Sequence, residues 1–180
     1  MPEKMAITIS RQLGSGGSYI GQLVAKRVGF AYIDRQILQQ AARQLGVEEE
    51  EIEDREERLQ SFWEKLVPGF AMASPYPSMP PLRWFSDEEL AALEHRLITE
   101  LVVKGPCVVI GRGAFHLLRN KAKLLSVMIH APMEFRVERV MSTYKVQSKA
   151  EAVQMIERSD HDRRCCLRAF TGLDWFDARN

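Results

Sequence analysis

The sequence has little cysteine, no long apolar run and almost no net charge. Its three cysteines, Cys107, Cys165 and Cys166, match no metal-ligand spacing and suit a reducing cytoplasm. No apolar stretch approaches the roughly 20 residues that span a bilayer, and the N-terminus lacks the plan of a signal peptide. A net charge of +1 argues against a general nucleic-acid-binding protein. We therefore expect a cytoplasmic protein with neither a membrane nor a nucleic acid as its partner.

Short apolar runs alternate with helical patterns along the 180 residues, a length that predicts one domain covering 1–180. Four runs have the length of buried strands, and they occupy residues 5–10, 30–33, 107–110 and 124–129. Amphipathic segments follow these runs, and the first has Ile20, Leu23, Val24 and Val28 on one face before Gly29. The alternation predicts an α/β fold, a three-layer α/β/α arrangement with a parallel sheet between helices.

One segment interrupts this alternation at about 48–86. It opens with an acidic run, 48–57, in which eight of ten residues are Asp or Glu, and the plain interpretation is a solvated helix face. Five of the eight prolines follow within 67–86, which predicts a loop or cover because proline removes amide donors and fixes φ. Beyond it, helices over 132–144 and about 148–164 form a predicted lid. No strand pattern follows Trp175, so we expect a closing strand to lie beyond Asn180.

A glycine-rich turn directly follows the first predicted strand and precedes a helix. In a phosphate-binding loop of this kind, backbone amides and the helix N-terminus face the anion. The standard pattern G-x-x-x-x-G-K-[ST] aligns with this chain only in part, because Arg11 stands at the first glycine and Gly17 at the lysine. The sequence predicts an ATP-binding loop at Gly14, Ser15, Gly16, Gly17 and Ser18, with the Ser18 hydroxyl as the ligand of Mg²⁺.

The absent lysine matters because it would normally contact the β- and γ-phosphates. Arg11 places a guanidinium at the mouth of the loop, and arginine can carry the missing charge in a forked geometry. We therefore predict a catalytic role for Arg11.

Several short blocks of the sequence resemble the cytidylate kinase-like family, which is related to bacterial cytidylate kinases. The blocks are Ile9-Ser-Arg-Gln-Leu-Gly-Ser-Gly-Gly17, Tyr32-Ile-Asp-Arg35, Val109-Ile-Gly-Arg-Gly113, Ile129-His-Ala-Pro132 and the pair Asp160 and Arg163. In this family a Ser-Arg-Gln loop replaces the full Walker A loop. The resemblance covers most of the chain and implies a P-loop NTPase-like fold with a helical lid.

Polar residues follow the predicted strands at one edge of the sheet, where ligands of open α/β sheets bind. The resemblance to the Gly-Arg-Asp segment of cytidylate kinases implies that Arg112 holds the acceptor phosphate, although Gly113 replaces the aspartate. The alternative for Arg112 is a strand-end arginine paired with a carboxylate. Asp34 either orients a substrate hydroxyl or a magnesium-bound water, or caps the next helix.

The basic residues of the predicted lid are the remaining candidates. Arg136 and Arg139 are three residues apart and share one helix face. The resemblance implies that such arginines close over the transferring phosphoryl group, and that Asp160 and Arg163 contact the sugar and phosphate of the acceptor. The alternative for Arg136 and Arg139 is a salt-bridged surface hairpin.

The sequence thus predicts ATP- and Mg²⁺-dependent phosphoryl transfer to a nucleoside monophosphate, with CMP or dCMP as the implied acceptor. Catalysis would fall to Arg11, Arg136, Arg139 and Arg163, and acceptor binding to Asp34, Arg112, Asp160 and Arg163. Two alternatives remain open: a nucleotide-binding regulatory module without turnover, and a kinase for a small non-nucleotide acceptor.

Overall fold

The computed structural model describes residues 4–35, 37–38 and 87–176 of the chain. The predicted insertion at about 48–86 therefore lies outside the described residues, including its acidic run and its prolines. Within the described ranges, no helix combines the length and the apolar character that crossing a membrane would require.

Four parallel strands form one sheet in the described part of the chain. They are β1 (Met5–Arg11), β2 (Ala31–Ile33), β3 (Cys107–Ile110) and β4 (Lys123–Ile129), in the order β2-β3-β1-β4. Each strand lies where the sequence predicted one, because each is an apolar run bounded by turn residues. The prediction of an α/β fold with a parallel sheet is confirmed.

Five helices accompany these strands within the described ranges. They are α1 (Gly17–Val28), α2 (Asp87–Lys104), α3 (Ala114–Leu118), α4 (Met133–Tyr144) and α5 (Lys149–Thr171). The short helix α3 was not predicted, since five residues are too few for a periodic pattern. Helix α5 runs seven residues beyond the predicted end at about Arg164, because nothing interrupts it before Gly172, its left-handed C-cap.

The main core lies between the sheet and helices α1 and α2. Strand β3 is buried throughout, and Leu97, Ile98 and Leu101 of α2 are fully buried against the same cluster. Helix α1 approaches the sheet through small residues, Gly21 and Ala25, rather than through its apolar stripe. A Cβ on Gly21 would collide with Ile110, so this close approach requires glycine.

The close approach leaves most of the apolar stripe of α1 away from the sheet. Ile20, Leu23 and Val28 are 39%, 49% and 46% exposed, and of the predicted stripe Val24 packs on the core. The face with the larger apolar residues thus points outward among the described residues, because the small residues lie at the contact with the sheet.

Helices α4 and α5 form a helical hairpin with a core of its own. Val137 and Val140 of α4 pack on Ala152 and Ile156 of α5. The side chain of Leu13, from the loop after β1, packs against this second core. The hairpin is therefore attached to the glycine-rich loop as well as folded on itself.

Candidate active site

The loop after β1 turns sharply at two glycines in left-handed conformations. Gly14 has φ 81° and Gly16 has φ 83°, which other residues rarely adopt. A Cβ on Gly14 would also lie 2.6 Å from the Arg136 carbonyl oxygen of α4. The Gly14–Ser18 segment predicted to bind ATP therefore forms a compact turn at the N-terminus of α1, with the hairpin against it.

No described side chain caps the N-terminus of α1, and its first turn contains no acidic residue. The first amide to bond back into the helix is that of Ile20, which donates to the Gly16 carbonyl oxygen at 3.0 Å. The preceding amides of a helix have no intrahelical acceptor and favour an anion, because the helix dipole adds a partial positive charge there. Ser18 is exposed in this first turn. This arrangement can hold a phosphate.

The close contact between Arg11 and Gly17 leaves no room for a lysine side chain in the loop. A Cβ on Gly17 would collide with the Cβ of Arg11 and would lie 2.8 Å from its Cγ. A Cβ on Gly111, after β3, would likewise collide with Nη1 of Arg11. The Arg11 side chain thus runs past two glycines, from beneath the loop towards the end of β3.

The guanidinium of Arg11 lies among other charged groups. Burial, and then the neighbouring charge of Arg163, lower the pKa of Arg11 to about 10, whereas Tyr32 and Asp34 act in the opposite direction. Arg11 therefore keeps its positive charge at neutral pH. Its Cβ lies against Gly17 of the glycine-rich loop while its guanidinium lines the adjoining cavity, so Arg11 lies between the loop and the cavity.

Asp34 follows β2 and caps the helical turn that begins at Arg35. Its Oδ1 accepts a hydrogen bond from the Ile37 amide at 3.0 Å, and its carbonyl oxygen accepts one from the Leu38 amide at 3.0 Å. The cap is thus present in the structure. Burial and the adjacent Asp34 carboxylate also raise the pKa of Tyr32. A contact between Asp34 and the substrate stays a prediction.

Arg112 lies at the end of β3 between two glycines. Gly111, Arg112 and Gly113 all have positive φ, at 73°, 59° and 61°. Three successive left-handed residues fold the chain tightly and direct the Arg112 side chain to α2, where Nη1 forms an ion pair with Glu94 Oε2 at 3.0 Å. The pairing with a carboxylate exists, and the arginine remains 30% exposed for a ligand.

Two residues of α2 complete this corner of the site, and sequence reasoning missed both. Glu94 is 1% exposed, and burial raises its pKa although Arg112 and Arg35 lower it. His95 Nε2 donates to the Arg112 carbonyl oxygen at 3.0 Å, since a carbonyl only accepts. A signal was available for Glu94, because its spacing to Leu97 and Leu101 places a carboxylate on the buried face of the helix.

Arg136 and Asp160 connect the helical hairpin to the backbone of the loop. Arg136 is 4% exposed; its Nε donates to the Leu13 carbonyl oxygen at 2.8 Å, and its Nη2 pairs with Asp160 Oδ2. Asp160 Oδ1 accepts from the Leu13 amide at 3.0 Å. Arg163 Nη1 donates to the Arg11 carbonyl oxygen at 3.1 Å. Both the donor and the acceptor of the Leu13 peptide backbone are therefore held by hairpin side chains.

Arg139 occupies a different position from Arg136 although both are on α4. Its guanidinium carbon lies 3.3 Å from the point where a Cβ of Gly16 would be, and 5.9 Å from the centre of the Tyr19 ring. Arg139 is thus beside the glycine-rich loop. Of the four predicted catalytic arginines, the structure brings Arg11 and Arg163 to the cavity and Arg139 to the loop, while Arg136 is engaged inside the hairpin contact.

A cavity of about 740 Å³ adjoins the loop at the carboxyl edge of the sheet. This volume lies within the range of small-molecule sites. Its charged lining has more arginines than carboxylates: Arg11, Arg35, Arg112, Arg158 and Arg163 against Glu94 and Asp162. Phe115, Leu167 and Trp175 add an apolar wall to the same cavity. Such a cavity suits an anion that also carries an apolar or aromatic part.

Ser18, the predicted ligand of Mg²⁺, does not stand in a cluster of metal ligands among the described residues. Within the ranges described, no three His, Cys, Asp or Glu side chains come together as a metal site. Mg²⁺ commonly keeps several waters and binds through one or two protein oxygens together with substrate phosphates. The exposed Ser18 hydroxyl beside the loop fits that requirement.

A comparison with protein families identifies the family of this chain. A model of the cytidylate kinase-like family matches residues 6–180. The chain belongs to the cytidylate kinase-like family. Membership of this family supports a kinase that acts on nucleotides or other small molecules, and with it the use of a nucleotide such as ATP. No curated protein matches the sequence.

Among solved structures, an uncharacterized protein from Eubacterium ventriosum ATCC 27560 has a similar fold, with a TM-score of 0.68 at 18% identity. The match covers 97% of this chain and 83% of that one. A gluconokinase from Sinorhizobium meliloti 1021 matches at 16% identity over 88% of this chain and 76% of its own, with a TM-score of 0.40, which is too low to compare the folds.

Proposed function

We propose that this protein transfers a phosphoryl group from ATP to a nucleoside monophosphate, with CMP or dCMP as the favoured acceptor. The observation that carries the proposal is the position of Arg11, whose stem packs under the loop and whose guanidinium lines the arginine-rich cavity. Phosphoryl transfer needs two phosphates brought in line and neutralised by cations, with little other chemistry from the protein. A cation between two anion sites meets that requirement.

The donor side of the reaction would be the loop formed by Gly14, Ser15, Gly16, Gly17 and Ser18. Its uncapped amides would hold the ATP phosphates, and Arg139 would add charge beside Gly16. Ser18 would hold Mg²⁺, which neutralises phosphate charge when it is bound.

The acceptor side would be the cavity, where Arg112 and Arg163 face the monophosphate. Arg112 retains 30% exposure and Arg163 29%, so both can still meet a ligand. Partial burial lowers the pKa of each guanidinium. A charge in such surroundings interacts strongly with a phosphate.

Catalysis in this scheme needs no general base and depends on the placement of charge. Arg11 and Arg139 would stabilise the transferring group. Arg136 and Asp160 would act indirectly, because they hold the Leu13 backbone and hence the loop against the hairpin. Each preorganised cation that faces developing charge contributes to the rate because it does not have to reorganise during the reaction.

A steady-state kinase assay with ATP and a panel of monophosphates tests the proposal. We expect turnover with CMP or dCMP well above the ATP hydrolysis seen without an acceptor, and little with UMP, AMP or GMP. Small sugars and sugar acids in the same panel test the alternative of a non-nucleotide acceptor. Turnover confined to such a compound would replace the acceptor in this proposal, and binding of ATP without any transfer would contradict it.

A regulatory nucleotide-binding module is the second candidate, and the collision at Gly17 favours it. The contact with Arg11 excludes a lysine at the position where phosphate-binding loops normally have one. A protein that binds ATP and a monophosphate with measurable affinity, yet never exchanges phosphate between them, would have this function. For either function we propose a cytoplasmic protein with a small-molecule ligand, in keeping with its free cysteines.

A further inference from the structure

Glu94 is a buried carboxylate in the wall of the cavity. Its side chain is 2% exposed, and its Oε2 is paired with Arg112 Nη1 at 3.0 Å. Its second oxygen, Oε1, is buried and has no hydrogen-bond partner among the residues that the structure describes. A hydrogen-bond donor to Oε1 would therefore have to come from a molecule bound in the cavity.

An unsatisfied carboxylate oxygen in such a place is costly, because it has lost its water and gained nothing in return. Buried polar atoms in folded proteins nearly always have a partner, so each exception calls for a reason. Glu94 lines the same cavity as Arg112 and Arg163, which we assign to the acceptor phosphate. A molecule bound there can bring the donor that Oε1 lacks.

Resting on the kinase function proposed above, we propose that Glu94 Oε1 accepts a hydrogen bond from the acceptor and thereby selects acceptors with an amino or hydroxyl donor near Arg112. The carboxylate thus reads one group of the acceptor, while the arginines bind its phosphate. Glu94 is then a specificity-determining residue of this chain.

The selectivity follows from the chemistry of a carboxylate. Ionised Glu94 only accepts hydrogen bonds, so an amino group satisfies Oε1 and a carbonyl oxygen in its place repels it. A pocket that is built to bond one polar group rejects the analogue that lacks it, because the protein atom is then left unpaired. We expect a preference of about ten-fold or more, the range of a hydrogen bond to a charged group.

Glu94→Gln provides a sharp test because Arg112 fixes the orientation of the new amide. Arg112 Nη1 can only donate, so the glutamine carbonyl oxygen must face it. The amide nitrogen then stands where Oε1 stood, and an acceptor of hydrogen bonds becomes a donor. The variant should therefore reverse the preference rather than merely weaken binding.

The experiment measures kcat/KM with ATP, and Kd by calorimetry, for pairs of monophosphates that differ in one group. CMP against UMP and AMP against IMP exchange an amino group for a carbonyl, and CMP against dCMP removes a sugar hydroxyl. If a base amino group is the donor, wild type prefers CMP or AMP and Glu94→Gln shifts that ratio towards UMP or IMP by at least ten-fold. If the hydroxyl is the donor, the CMP to dCMP ratio changes in the variant and the amino–carbonyl ratios do not.

Two further variants control the interpretation. Glu100→Gln removes a carboxylate from the same helix at a residue that pairs with Arg96, and it should leave every ratio unchanged. Glu94→Met removes both oxygens, so it should abolish the preference without reversing it. It also keeps the test valid should Glu94→Gln unfold, which a thermal melt would show.

The outcomes separate this inference from the proposed function. Phosphoryl transfer with the same ratios in wild type and Glu94→Gln would overturn the inference and leave the kinase function intact, since Glu94 would then only position Arg112. A reversed preference in calorimetry without any transfer would support the inference and overturn the kinase function. A wild-type protein that binds no monophosphate would overturn both.

Discussion

The Cβ of Arg11 occupies the space that a Cβ on Gly17 would need. The chain therefore cannot have both this arginine in its present position and the lysine that phosphate-binding loops usually place at residue 17. In this chain the cation therefore lies at the end of strand β1 and not at the start of helix α1. This position brings the cation to the boundary between the loop and the cavity, and it makes Arg11 the residue on which the kinase proposal chiefly depends.

We expect Arg11→Met to abolish phosphoryl transfer without lowering the melting temperature. Methionine keeps an unbranched stem against Gly17 and removes a charge that burial disfavours. Loss of a preorganised cation at the reacting group costs about a hundred-fold or more in turnover. The measurements are steady-state turnover and a thermal melt. Arg11→Lys serves as the control, because it keeps the positive charge but loses the forked donors of the guanidinium. Unchanged turnover in Arg11→Met would rule out compensation by this residue.

We expect Gly17→Ala to destabilise the fold by about 1–3 kcal/mol, the usual cost of forcing an extra methyl into a packed site. The same change in an Arg11→Gly background should cost at least about 1 kcal/mol less, because the opposing Cβ is gone. Urea unfolding of the four proteins gives this coupling energy. For the same reason Gly17→Lys should restore no activity to Arg11→Ala, which retains a Cβ. Additive effects in the cycle would show that the two residues do not collide.

Substitution of Arg136 should mainly lower stability, whereas substitution of Arg139 should mainly lower turnover. Arg136→Ala removes the buried cation of Asp160 and leaves it only Arg163, whose Nη1 lies 3.6 Å from Asp160 Oδ1. Breaking a buried pair costs about 3 kcal/mol or more. Asp160→Ala in the same chain should recover part of that loss. Arg139→Ala should change stability by under about 0.5 kcal/mol and lower turnover, because it lies beside Gly16. Chemical unfolding and kinase assays on the matched pair check this, and the reverse assignment of effects would contradict it.

Arg112→Ala should weaken monophosphate binding about ten- to a hundred-fold and ATP binding far less, since a charge-assisted contact is worth about 1.5–3 kcal/mol. The change also leaves the buried Glu94 carboxylate without its ion-pair partner, so the comparison is best made in a Glu94→Gln background. Calorimetry with both ligands gives the two losses. Equal losses would remove Arg112 from the acceptor site.

Glu94 should make the stability of the ligand-free protein depend on pH. Burial raises its pKa above the ordinary 4.5, so the folded chain holds this proton more tightly than the unfolded chain does. The stability contributed by protonated Glu94 is present below pH 4.5 and is lost as the pH rises through the folded pKa. The unfolding free energy of Glu94→Gln, relative to wild type, should therefore increase with pH above 4.5. Urea unfolding between pH 4 and 8 measures it; a constant difference, or one that falls with pH, would contradict the assignment.

The predictions from sequence succeeded where short-range pattern decides the outcome. Each of the four strands is an apolar run, and helix α4 ends at Tyr144 as its periodicity indicated. The apolar stripe of α1 did not indicate which residues meet the sheet, because the small residues Gly21 and Ala25 make that contact. Close packing on Ile110 leaves Ile20, Leu23 and Val28 exposed.

The candidate site shows the same division. The sequence located the loop and most of the arginines, since their positions follow from strand ends and helical spacing. It did not separate Arg136 from Arg139, because the partner of Arg136 at Leu13 is 123 residues away along the chain. It also passed over Glu94, whose pairing with Arg112 depends on three consecutive left-handed residues after β3.

By itself, the sequence determined an α/β chain with a glycine-rich loop that has no lysine and with arginines after its strands, because apolar periodicity and glycine placement act locally. Only the tertiary structure decided what those groups do together. Parallel pairing brings Arg11 beside Gly111, the hairpin holds Leu13 through Arg136 and Asp160, and α2 buries Glu94 in the cavity wall. Such contacts join residues far apart in the chain, so their distances and burial are properties of the packed molecule and not of any segment of it.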